Sequence, residues 1–245
     1  MTGGLPDAIN SFINDRNIFN IRKIQSDIYD YYGDGASKYD KDHKLKIKRI
    51  YDLIPSNLED KKRVVVKNIE NIKGKRFSNY QDEFDYLINS GIALEVKAIS
   101  TPVFPLIESS EKNLLKLYLN DVGLLSNILY KTNIKAILND EKSINLGTVY
   151  ESVVASELKD HGHNLFYYDN KANGEVDFLI DDYDTLSFLP LKLKSGKNYT
   201  IHSAINKFLS NKSYNVKQGI VLYNEQKIFE KNNILYLPIY FVMFL

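Results

Sequence analysis

The chain has 245 residues, 44% of them hydrophobic, enough to bury a sizeable core in one large or two ordinary domains. Its formal net charge of +1 gives no overall argument for nucleic acid as a partner. The absence of cysteine excludes disulfides, thiolate metal sites and thiol nucleophiles, and fits a cytoplasmic setting.

No basic run followed by an apolar one opens the chain, and no apolar stretch approaches ~20 residues, so neither a signal peptide nor a membrane span is expected. Pro6 starts a helix with an Ile9, Phe12, Ile13 stripe. A second helix runs from Asn20 to Tyr32, where Gly33-Asp34-Gly35 is expected to stop it. A third covers 44–54 and should end at Pro55. Phe77 to Ser90 is a further helix closed by Gly91, and Ile92 to Ile99 reads as a strand before the Pro102/Pro105 loop. This order suits a winged helix-turn-helix.

Between Lys41 and Arg76, twelve Lys and Arg stand against five acids. Such a local surplus suits phosphate contact, with Lys46, Lys48, Arg49, Lys61, Lys62 and Arg63 as the nucleic-acid candidates. The alternative is a solvated face balanced by the acidic 81–85 stretch.

The second half opens with a strand over 113–119 and a helix capped by Asp121. After a polar connector, 131–145, comes a helix over 146–161 with Val149, Val153, Val154 and Leu158 on one face. Tyr167-Tyr168, Gly174–Ile180 and Leu189–Lys194 read as strands, His202–Leu209 as a helix, and 216–223 and 234–240 as closing strands. The fold class is therefore α/β (α+β), with a helical, winged-helix-like domain at 1–110 and a mixed-sheet domain at 111–245.

Strict alternation places Val176, Phe178 and Ile180 on one face, with Glu175, Asp177 and Leu179 on the other. Lys192 and Lys194 share the face opposite Leu191 and Leu193. Adjacent carboxylates repel, so a cation or a hydrated surface must offset them. The pattern makes either a polar site or two salt-bridged rows. The four histidines, at 43, 161, 163 and 202, do not have metal-ligand spacing.

Glu151 on a helix, Glu175-Val176-Asp177 on a strand and Lys192-Leu193-Lys194-Ser195-Gly196 on the next resemble the PD-(D/E)xK core of restriction endonucleases. More narrowly, the chain resembles the C-terminal portion of prokaryotic AAA-type ATP-binding proteins that carry the domain of unknown function 4143. Gly3-Gly4-Leu5-Pro6, Leu117-Tyr118-Leu119-Asn120-Asp121-Val122-Gly123-Leu124-Leu125 and Leu237-Pro238-Ile239-Tyr240 continue the likeness along the chain.

The resemblance implies a restriction-endonuclease-like sheet domain in which Asp177 and Glu175 hold Mg²⁺ and Glu151, Asp177 and Lys194 are catalytic. Two departures matter: Lys192 stands where the family has glutamate, and no G-x-x-x-x-G-K-[ST] loop is present. The leading expectation is a nucleic-acid-associated module of an AAA-type ATPase with a degenerate nuclease-like core. Its partners would be DNA or RNA and an ATPase domain outside this chain. The alternatives are a Mg²⁺-dependent nuclease, and a regulatory protein-interaction domain without nucleic-acid contact.

Overall fold

Helices dominate residues 6–89, and strands take over from Ala93 onward. The computed structural model describes residues 1–39, 43–60, 64, 66–111, 113–131, 133–139, 146–170, 173–194 and 203–245. They form two compact units that interleave along the chain: Met1–Glu95 with Leu117–Val153, and Val96–Lys116 with Val154–Leu245.

The first unit contains α1 (Pro6–Asp15), α2 (Ile18–Tyr39), α3 (Lys44–Glu59), α4 (Lys67–Glu70), α5 (Gln81–Asn89), α6 (Val122–Tyr130) and α7 (Ile134–Leu138). Two expected stops fail. Helix α2 continues through Gly33 and Gly35, each costing about 1 kcal/mol of helix propensity. Packing on α3 overrides that cost: Tyr29 stacks on Tyr51 with ring centroids 4.6 Å apart, and a Cβ at Gly33 would sit 3.6 Å from Tyr51. Helix α3 likewise runs on through Pro55, because Ile54, Pro55 and Leu58 are all buried and hold the last turn in place.

The Gly3-Gly4 run and the Asp121-Val122-Gly123 run meet in this unit. Asp121 caps α6 by accepting from the Leu124 backbone N–H at 3.0 Å, and its other oxygen accepts from the Gly4 N–H at 2.5 Å. Gln25, fully buried, donates to the carbonyls of Met1 and Thr2 at 2.9 and 3.0 Å. Gly3 has φ 70°, and a side chain there would press into the Asp121 carboxylate. A Cβ on Gly123 would come within 2.8 Å of the Thr2 carbonyl.

The remaining elements are β1 (Ala93–Ile99), β2 (Leu115–Leu119), α8 (Gly147–Asp160), β3 (Phe166–Asn170), β4 (Gly174–Asp182), β5 (Ser187–Lys194), α9 (Ser203–Ser210), β6 (Gly219–Tyr223), β7 (Phe229–Lys231) and β8 (Ile234–Pro238). Among the described residues the strands form one mixed eight-stranded sheet in the order β2-β1-β3-β4-β5-β6-β8-β7. β4 runs antiparallel to both β3 and β5, whereas β5, β6 and β8 are mutually parallel. In the second unit, Phe166, Tyr168, Val176, Leu179, Phe188 and Phe208 belong to one apolar cluster.

The expected alternation along β4 does not hold. Phe166 faces Leu179 and Tyr168 faces Val176, so three steps on β4 span two on β3. That bulge shifts the parity of the strand and brings Val176 and Leu179 into the same core cluster, with Asp177 inside the bulged stretch.

Asp121→Ala removes the α6 cap and the Gly4 anchor together. It should destabilise the protein by about 1–3 kcal/mol, read as a lower urea midpoint with an unchanged slope.

Candidate functional site

Asp177 lies on β4 and is 6% exposed, so its carboxylate depends on partners rather than on water. Both partners come from β5. Lys192 Nζ donates to Oδ1 at 2.6 Å, and the Leu193 backbone N–H donates to Oδ2 at 2.6 Å. Phe178 pairs with Leu191 across these antiparallel strands, and the next step along the ladder places Lys192 opposite Asp177. The contact is a cross-strand ion pair reinforced by a main-chain donor.

Glu175 is answered from the other direction. Lys116 on β2 donates to Glu175 Oε1, and its ammonium also lies 4.6 Å from the centre of the Tyr167 ring. Of the acids that Lys192 and Lys194 were expected to neutralise, Asp177 accepts from Lys192, and Glu175 accepts from Lys116. Sequence reasoning missed Lys116. Its signal was a lysine within Leu115-Lys116-Leu117-Tyr118-Leu119, a strand whose five residues are all buried. A charge enclosed by apolar neighbours needs a counter-charge. Lys194 is partly buried at the end of β5, opposite Tyr223 of β6.

Glu151 belongs to the first unit. It is buried on α8 and accepts a hydrogen bond from the Tyr118 hydroxyl at 3.3 Å.

A divalent cation such as Mg²⁺ needs several oxygen ligands. Both Asp177 oxygens and Glu175 Oε1 already accept from an ammonium or a backbone N–H. Among the described residues no three His, Asp or Glu side chains are grouped to hold a metal ion. The donor set does not fit Mg²⁺, since the Lys192 ammonium lies 2.6 Å from Asp177 Oδ1 and would repel the ion.

The basic face of α3 is also matched by acids. Lys46 reaches Glu83 at 3.5 Å, and Glu83, almost fully buried, also pairs with His43 Nδ1 at 2.6 Å. Lys48 reaches the exposed Asp34 at 3.2 Å, and Arg49 reaches Glu70 at 3.7 Å. The Tyr80 hydroxyl donates to Glu70 at 2.6 Å, which holds the Glu70 carboxyl below the usual carboxylate range. Lys61, Lys62 and Arg63 lie outside the described residues.

Residues 1–135, more than half of the chain, match the family model described as a domain of unknown function, DUF8612. The chain belongs to that family. The DUF8612 span holds α1 to α6 with the Gly4–Asp121 contact and the basic face of α3. Residues 146–242 match a second model, the domain of unknown function DUF4143, which carries Glu151, Glu175, Asp177, Lys192 and Lys194. No curated protein and no solved structure matches the chain. Among the described residues no helix is long and apolar enough to cross a membrane.

Lys192→Met leaves Asp177 buried with only the Leu193 N–H, and should cost about 3–5 kcal/mol in denaturant unfolding. Combining it with Asp177→Asn should recover much of that loss, since removing both charges of a buried pair is far milder than removing one.

Proposed function

We propose that this chain is the nucleic-acid-associated C-terminal module of an AAA-type ATP-binding protein, and that its PD-(D/E)xK-like core has given up metal-dependent catalysis. One observation carries the reading. Lys192, which stands where the resembled family has glutamate, donates to Asp177 Oδ1 at 2.6 Å and so engages the carboxylate that would bind the ion. The DUF4143 match covers the same motifs, and the hydrogen bond from Gly4 to Asp121 joins two sequence runs on which the family resemblance rests. In this reading Glu151 and Lys194 perform no metal-dependent step, and ATP hydrolysis belongs to a nucleotide-binding domain outside this sequence.

Nucleic-acid contact is assigned to the basic face of α3. Pairs on a protein surface are worth about 0–1 kcal/mol, so phosphates can displace Asp34 from Lys48 and compete for the half-exposed Arg49. Lys46 is tied to the buried Glu83 and remains with the protein.

Three measurements test the proposal. Calorimetry with Mg²⁺ or Mn²⁺ at millimolar concentration should show no binding by the parent and a new binding isotherm for Lys192→Glu. Metal-dependent cleavage of DNA or RNA by the parent, lost in Asp177→Ala, would overturn the non-catalytic reading.

Duplex binding by fluorescence anisotropy should fall steeply with salt. The double reversal Lys48→Glu/Arg49→Glu should weaken it at least tenfold, whereas unchanged binding would remove α3 from the interface.

A further inference from the structure

Arg22 lies on α2 and is 7% exposed, yet only part of its guanidinium is matched. Nη1 donates to Gln25 Oε1 at 3.0 Å, Ser126 Oγ at 2.9 Å and the Gly123 carbonyl at 3.4 Å. Among the described residues Nε and Nη2 have no acceptor, and no carboxylate forms an ion pair with this side chain. Burial lowers its pKa. A buried cation with two unanswered donors is costly, so the arrangement asks for a ligand.

The unanswered nitrogens are not an arbitrary pair. Nε–H and the nearer N–H of Nη2 lie along one edge of the planar group and point in parallel, the geometry that receives two oxygens of one carboxylate. Arg22 also lines a concavity of about 600 Å³, a size typical of small-molecule sites. Ser26, Tyr29, Asp30, Asn127, Ile128 and Lys131 complete its wall.

The amide nitrogen of Asn127 is already spent on the Arg22 carbonyl at 3.0 Å and Ser26 Oγ at 2.8 Å, which braces α2 against α6. Arg22 and Lys131 against Asp30 leave a surplus of one positive charge, which suits a monoanion better than a phosphate dianion. Tyr29, held by its stack on Tyr51, and Ile128 offer apolar surface for the body of a ligand.

We propose that this concavity binds a small organic monocarboxylate, its two oxygens on the Nε/Nη2 edge of Arg22 and its apolar body against Tyr29 and Ile128. Both nitrogens are shielded from solvent, so entry requires a side chain of the wall to turn aside. The site is independent of Asp177 and of the nuclease-like reading.

The test uses the full chain with sodium benzoate as probe, against sodium chloride at equal ionic strength, and with sodium phosphate as a second arm. Benzoate should raise Tm saturably and give a calorimetric isotherm. Arg22→Lys keeps the charge but lacks the fork, and should lose the response. Asp30 and Lys131 are exposed, so their variants should fold normally. Asp30→Asn should tighten benzoate severalfold and Lys131→Glu should weaken it severalfold.

An equal response in Arg22→Lys, or none beyond chloride in the parent, overturns the proposal. So does binding of phosphate through Arg22 without any response to benzoate. Should Arg22→Lys fail to fold, unchanged affinity in both surface variants overturns it.

Discussion

A carboxylate enclosed by a β-sheet must be answered by donors that the sheet itself supplies, and Asp177 is answered twice from β5. The Lys192 ammonium takes one oxygen and the Leu193 N–H takes the other. The antiparallel register of β4 and β5 brings both donors to hand. The same register that stabilises the sheet therefore also sets which donors meet this carboxylate. Lys116 does for Glu175 what Lys192 does for Asp177, drawing on the Tyr167 ring as well. In this sheet ammonium groups stand beside both carboxylates.

The basic stretch of the first unit shows how far a charge count differs from a charge field. Lys46, Lys48 and Arg49 each have a carboxylate within 4 Å, contributed by α5, α2 and α4. These pairs are unequal. Glu83 is buried and shared with His43, so Lys46 is part of the packing between α3 and α5. Asp34 is exposed, so its pair with Lys48 is worth about 0–1 kcal/mol. Arg22 presents the opposite case, a buried cation whose Nε and Nη2 meet no acceptor among the described residues.

Helix boundaries in the first unit follow packing rather than propensity. Gly33 and Pro55 carry the usual local signals for a helix end, yet α2 passes through Gly33 where it packs on Tyr51 of α3, and α3 passes through Pro55 to the buried Leu58. Gly3 and Gly123 show glycine used for space instead. Each lies so close to Asp121 or Thr2 that any side chain would displace the chain segment held there.

The sequence by itself determined the helical first part, the strand-rich second part, the Asp121 cap and the carboxylate and lysine motifs. These signals are local: apolar period, cap chemistry and charge alternation can all be read within one element. Only the tertiary structure decided which lysine answers which acid. Lys116 is 59 residues from Glu175, and nothing in a local pattern records that pairing. The bulge on β4 was likewise invisible, because a change of side-chain parity depends on how β3 and β4 are registered across the sheet rather than on the residues of β4 alone. A residue's type limits the partners it can accept, but its partner is chosen by the strands and helices that the fold brings beside it.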